Sequence, residues 1–138
     1  MAIEDTAVGL RAEEMHALAQ RFRAAYEARD TAAMGALYSP DAVIWHSNDD
    51  LALTLERHLT TFIQNTSAID SFSYKDVKVH PFVGGYVQQH RTQGKMKNGQ
   101  EFEVHACLVC LVENGKITRF DEYWDPSSLR SVGAGPEH

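Results

Sequence analysis

Three dipeptides punctuate the second half of the chain: Gly84-Gly85, Asn98-Gly99 and Asn114-Gly115. Asn-Gly supplies two residues tolerant of positive φ, which a tight hairpin turn requires. They separate four strand candidates, Phe72 to Phe82, Tyr86 to Lys97, Glu101 to Val112 and Ile117 to Trp124. The first half has a different period. From Glu13 to Ala28, Met15, Leu18, Phe22, Ala25 and Tyr26 recur at spacings of three and four, which predicts a helix. Asp30 or Thr31 caps a short second helix through Leu37, and Ser39 before Pro40 is pushed out of helical geometry. Ala42 to His46 reads as a short strand. Asp49 or Asp50 caps a third helix carrying Leu51, Leu55, His58 or Leu59, and Phe62. Three helices, a short strand and a four-strand meander make an α+β domain with its helices on one sheet face.

At 138 residues the chain is one domain's worth, enough to bury a sizeable core. We expect a single domain over residues 1–130 and a flexible tail over 131–138, where two glycines and a proline cluster. Acidic residues outnumber basic ones by 19 to 13 and no Lys/Arg cluster offsets them, which argues against nucleic acid or an anionic membrane as a partner. No apolar run is long enough to span a bilayer. The start, Met1-Ala2-Ile3-Glu4-Asp5, lacks the basic and apolar regions of a signal peptide, so a cytoplasmic location is expected. Cys107 and Cys110 are three apart, so in a strand they point to opposite faces and cannot bridge. They read as small buried hydrophobes rather than a metal or redox pair.

Several segments, in order, resemble the NTF2-like superfamily and within it the SnoaL-like and ketosteroid isomerase-like group. They are Phe22, Tyr26 and Arg29-Asp30; Leu37-Tyr38-Ser39-Pro40-Asp41-Ala42-Val43; Asn114-Gly115-Lys116-Ile117; and Glu122-Tyr123-Trp124-Asp125. The resemblance implies a cone-shaped, curved antiparallel sheet packed against three N-terminal helices around a pocket. It also implies a homodimer formed through the outer sheet face. It does not imply one reaction, because such folds host isomerases, hydrolases, cyclases, dehydratases and binders.

On the last strand, alternation puts Thr118, Phe120, Glu122 and Trp124 on one face and Ile117, Arg119, Asp121 and Tyr123 on the other. Polyketide cyclases of this group and limonene epoxide hydrolases carry an acid/base carboxylate at the position matching Glu122. Flanked by Phe120 and Trp124, that carboxyl would be partly desolvated and its pKa raised. The alternative is a surface Glu beside a core Trp. His46 falls where ketosteroid isomerases carry their proton-abstracting Asp; a neutral imidazole can take a proton near pH 7, or the residue can be structural.

Arg91 matches an Arg of limonene epoxide hydrolases, whereas Gln93 replaces their Asp, which argues against epoxide opening by paired carboxylates. Arg91 either orients a ligand, pairs with Glu122, or lies on the outer face beside Glu101 or Glu103. Tyr26 could offer a hydroxyl to the pocket. Phe22 and Leu108 stand where ketosteroid isomerases place their two oxyanion donors, so steroid Δ-isomerisation is disfavoured and both become pocket-wall candidates. The row Phe102, Val104, Ala106, Leu108 and Cys110 fits an apolar wall; the row Glu101, Glu103, His105, Cys107, Val109 and Leu111 fits a dimer surface.

His105 and Cys107 have no third ligand for a metal, and glycine-rich phosphate loops, G-x-S-x-G and H-E-x-x-H are absent. The expectation is a cofactor-free, metal-free acid/base enzyme acting on a small apolar organic molecule. Glu122 and His46 would be its catalytic pair; Tyr26, Arg91, Phe120, Trp124, Phe22 and Leu108 would bind the substrate. The alternative is a non-catalytic small-molecule carrier or a protein-interaction domain of the same fold.

Overall fold

The structure is a computed structural model and describes residues 2–127, with side chains from Arg11 onward. Helices α1 (Ala2–Glu27) and α2 (Thr31–Gly35) lead into strands β1 (Tyr38–His46) and β2 (Leu51–Thr54), followed by helix α3 (Leu55–Asn65). Strands β3 (Ile69–Phe82), β4 (Gly85–Met96), β5 (Glu101–Glu113) and β6 (Lys116–Trp124) complete the chain. The six strands form one sheet in the order β2-β1-β6-β5-β4-β3. Every neighbouring pair is antiparallel except β1 and β6, which run parallel. The expected tail at 131–138 and the end of the expected domain lie outside the described residues.

Local chemistry explains most of the element ends. Asp30 caps α2 by accepting from the Ala33 N–H at 3.1 Å. Asn114 and Gly115 both take positive φ, 51° and 75°, and close a two-residue turn between β5 and β6 whose twist matches the strands. Bulges bend the long β3–β4 ribbon, one lying between Lys75 and Lys78, where Asp76 has φ 53°. The bend curls the sheet towards the helices.

Two expectations are corrected. The third helix does not begin at an Asp49 or Asp50 cap, because Leu51–Thr54 is a strand paired with β1 in the register His46↔Leu51. The Trp45 indole donates to Asp50 Oδ1 at 2.7 Å and stitches that hairpin. Thr54 is the cap instead, accepting from the Arg57 N–H at 3.2 Å. Ile117 is fully buried rather than on the outer face with Arg119. A register shift between Leu111 and Val112 breaks the alternation of the β5–β6 ladder there, so Ile117 turns inward.

The core lies between α1 and the concave sheet face. Phe22, Met34, Ile44, Tyr86, Leu108, Cys110, Ile117 and Phe120 are almost completely buried. Each large apolar side chain buried there contributes about 1.5–3 kcal/mol. A smaller cluster of Ile69, Met96, Phe102 and Val104 closes the far end of the cone. Arg29 fastens the two regions: its guanidinium donates to the carbonyls of Thr66 (3.1 Å) and Ile69 (2.7 Å) and lies over the Phe72 ring. No helix among the described residues is long and apolar enough to cross a membrane.

Candidate functional site

Between the two clusters the cone is not filled. A pocket of about 160 Å³ opens there, with Phe62, Phe72, Phe102, Val104, Ala106 and Trp124 supplying apolar wall. Asn48, Asp49, Thr61, Asn65, Thr66 and Thr92 add polar groups, and His46, His58, Tyr74 and Glu122 supply titratable ones. No Lys or Arg lines it among the described residues. Its volume is close to the ~150 Å³ of an apolar cavity that holds benzene, which sets the scale at a single ring.

The parallel seam builds the reactive end. Register pairs His46 of β1 with Glu122 of β6, and the Ser47 N–H donates to the Glu122 carbonyl at 2.9 Å. The Ser47 hydroxyl in turn accepts from the Trp124 N–H at 3.1 Å, so the end of β1 is tied to the end of β6. With those backbones fixed, His46 Nε2 lies 3.4 Å from Glu122 Oε1, and the two side chains are 18% and 23% exposed. Burial raises the pKa of the Glu122 carboxyl above its ordinary value, and the His46 beside it opposes that rise. A carboxyl so placed holds a proton more readily than a surface Glu, which is the property a general acid/base needs.

Behind this pair lies a buried polar chain. The Tyr26 hydroxyl is 2.7 Å from His58 Nε2 and 2.5 Å from the Tyr38 hydroxyl. The His58 ring stacks on His46 with centroids 5.5 Å apart. Burial, with His46 adding to it, lowers the His58 pKa to about 3, so this imidazole is neutral at ordinary pH. Burial raises the pKa of the Tyr26, Tyr38 and Tyr74 hydroxyls, so all three keep their protons. Farther from the pocket, the buried Gln88 amide nitrogen is 3.1 Å from His90 Nδ1, and burial with the Arg23 charge lowers the His90 pKa to about 4.

The structure brings Glu122, His46 and Trp124 together at the pocket. Tyr26 reaches it through His58. Phe22, Phe120 and Leu108 do not line it; they pack in the core beneath, where Phe22 stacks on Tyr26 and Phe120 lies against both His46 and His58. Arg91 is not brought there at all. Its side chain points to the outer face, where it pairs with Asp76 at 2.8 Å and Glu103 at 3.0 Å, because even-numbered β4 residues such as Gln88, His90 and Thr92 face inward. His58 and Tyr38 were not expected in the site. The sequence did hold a signal: His58 occupies a slot in the apolar repeat of α3, where a polar residue needs a partner.

Among the described residues no group of three or more His, Cys, Asp or Glu side chains could hold a metal ion. No curated protein matches the chain. Solved structures do. A protein of ketosteroid isomerase-like fold from Catenulispora acidiphila, in complex with trimethylamine, is 18% identical and superposes with a TM-score of 0.73, covering 85% of this chain and 92% of its own. A candidate polyketide cyclase from Xanthomonas campestris is also 18% identical, with a TM-score of 0.72 and coverages of 83% and 93%. An NTF2-like protein from Anabaena variabilis is 15% identical, with a TM-score of 0.72 and coverages of 83% and 89%. At such identities these likenesses speak for the fold alone. The model of the SnoaL-like domain family matches residues 19–120, most of the chain, from the second half of α1 into β6, including Tyr26, His46 and His58 but ending before Glu122; the chain belongs to that family.

Proposed function

We propose that this protein is a cofactor-independent acid/base enzyme that moves a proton on a small, largely apolar organic molecule of about one ring. Glu122 and His46 are the catalytic pair. The observation that carries the reading is their 3.4 Å approach at the wall of an apolar pocket, where burial shifts Glu122 towards holding a proton. The Glu takes a proton from carbon beside an electron-withdrawing group, and His46, within reach of its oxygen, passes that proton on or returns it to another position. Isomerisation, cyclisation and dehydration all share that first step. The absence of Lys and Arg from the described lining favours neutral substrates over carboxylates and phosphates. The Catenulispora protein of this fold holds trimethylamine, a ligand small enough for a pocket of this size.

The alternative of a carrier with a silent carboxylate needs Glu122 to be held by a cation such as Arg91. Arg91 is already engaged by Asp76 and Glu103, which speaks for the enzyme reading. The same reading includes a homodimer through the outer sheet face, where Leu111 and Tyr123 are exposed, and a cytoplasmic setting, in which the unpaired Cys107 and Cys110 would stay reduced. Light scattering on the eluted protein reads the first of these directly.

The test of the chemistry does not need the natural substrate. The protein is incubated in D2O with a panel of single-ring ketones, and deuterium uptake beside the carbonyl is followed by NMR. Uptake should be catalysed by the wild type and should fall roughly 10²–10⁴-fold in Glu122→Gln. Equal uptake in wild type, Glu122→Gln and His46→Ala would sink the mechanism, and ligand binding with no uptake would make the protein a carrier.

A further inference from the structure

The buried chain Tyr38–Tyr26–His58 has a direction. Tyr38 and Tyr26 each carry one hydroxyl hydrogen, and neutral His58 carries one ring hydrogen on either Nδ1 or Nε2. Among the described residues the Tyr38 hydroxyl has no hydrogen-bond partner besides Tyr26, and Nδ1 of His58 has none. In one arrangement Tyr38 donates to Tyr26 and Tyr26 donates to Nε2. Both hydroxyl hydrogens are then accepted, and the ring hydrogen sits on Nδ1, which is not among the fully buried unpartnered side-chain atoms and so reaches the solvent-filled pocket that His58 lines. In the other, Nε2–H donates to Tyr26 and Tyr26 donates to Tyr38, and the Tyr38 hydrogen is left without an acceptor among the described residues, in a site whose neighbouring rings are Phe120 and His58. Tyr38 and Tyr26 are only 4% and 3% exposed, so bulk water does not rescue that hydrogen. An unmet buried donor disfavours the second arrangement by about tenfold or more.

We propose that the two tyrosines lock His58 in its Nδ1–H tautomer and thereby present an uncharged hydrogen-bond donor to the pocket, matched to a ketone oxygen of the ligand. His58 lines the pocket, and with Nε2 taken by Tyr26 the nitrogen left for a ligand is Nδ1. The stacking on His46 sets this donor beside the Glu122–His46 pair, so a ring ketone can present its oxygen to His58 and its adjacent C–H to Glu122. Preorganised donors aimed at an oxygen that gains negative charge lower the barrier for removing that proton. Tyr26 and Tyr38 are positioning residues in this scheme. The substrate class rests on the proton-transfer reading above; the tautomer does not.

Long-range ¹H–¹⁵N correlation on uniformly ¹⁵N-labelled protein tells a protonated ring nitrogen from a bare one, and His58→Gln assigns the signal. The wild type should show protonated Nδ1 and bare Nε2. Tyr38→Phe should keep that pattern, because Tyr26 still donates to Nε2, whereas Tyr26→Phe should give a mixture. A wild type with protonated Nε2 overturns the lock, and so does a Tyr26→Phe spectrum identical to wild type. Adding cyclohexanone should shift the His58 Nδ1–H signal, whereas methylenecyclohexane, the same size without the oxygen, should leave it in place. No shift with cyclohexanone, or equal shifts with both, overturns the donor role. None of these readouts requires turnover, so a failure here is distinguishable from a failure of the deuterium-exchange test.

Discussion

Glu122 stands 3.4 Å from His46 because β1 and β6 run parallel, the one parallel pair among the described strands. The two residues are 76 positions apart in the chain and exact partners in the ladder. A β1 shifted by a single residue would turn Trp45 into the pocket and His46 out onto Tyr123.

The environment of Glu122 gives stability a definite pH dependence. Its folded pKa is raised above 4.5, so the folded state binds the proton more tightly than the unfolded chain. That contribution is fully present below pH 4.5 and is lost as pH rises through the folded pKa. Glu122→Gln cannot ionise and should therefore gain thermal stability relative to wild type as pH is raised above 4.5. Melting curves at half-unit intervals check it; a constant difference across the range would contradict the burial argument.

His58 and His90 act in the opposite sense. Their folded pKa values, about 3 and about 4, lie below the ordinary 6.5, so the unfolded chain binds protons that the folded state refuses. Stability should fall as pH drops from 6.5 towards those values. His58→Gln and His90→Gln should each flatten this acid limb in urea unfolding measured between pH 4.5 and 7. An unchanged slope in both would show that neither ring is held neutral by burial.

The turn into β4 tolerates no side chain at Gly85. A Cβ there would stand 2.0 Å from the Cys110 carbonyl oxygen and 2.9 Å from the Phe82 ring. Gly85→Ala should destabilise at the upper end of roughly 1–3 kcal/mol, because the clash is with backbone that cannot step aside. Gly99→Ala, with open space around the new methyl, should cost less, its penalty coming from the φ of 92° alone. Chemical denaturation of the two variants ranks them.

Arg91 provides the control for the inner site. Because it pairs with Asp76 and Glu103 on the outer face, Arg91→Ala should leave ketone deuterium exchange at the wild-type rate. A fall like that of Glu122→Gln would place the guanidinium in the reaction and contradict the geometry.

The sequence by itself determined the frame. Strong local signals lie behind that: Asn114-Gly115 turns wherever two strands of this twist meet, the α1 stripe from Met15 to Tyr26 seeks an apolar partner, and period-two alternation put Glu122 and Trp124 on one face. Four strands were legible to within about three residues for that reason. The short β2 was not, because Leu51 to Thr54 fits a helical repeat as well as a strand, and only pairing with β1 decides between them. The pocket membership was less legible still. Alternation says which residues share a face, but not how deep along the cone each one sits, so Phe22, Phe120 and Leu108 could be placed inward and not told apart from true lining. Arg91 was open between two faces until its partners were in place. His58 and Tyr38 come from an α-helix and a strand that meet Tyr26 only in three dimensions, and hydrogen-bond partners so far apart in sequence leave no periodic trace. Alternation therefore said which face of the last strand carries Glu122, and the family resemblance implied a pocket beside it; tertiary packing decided which polar groups meet there and which way burial shifts their protonation, because both depend on distances and burial that only the closed cone creates.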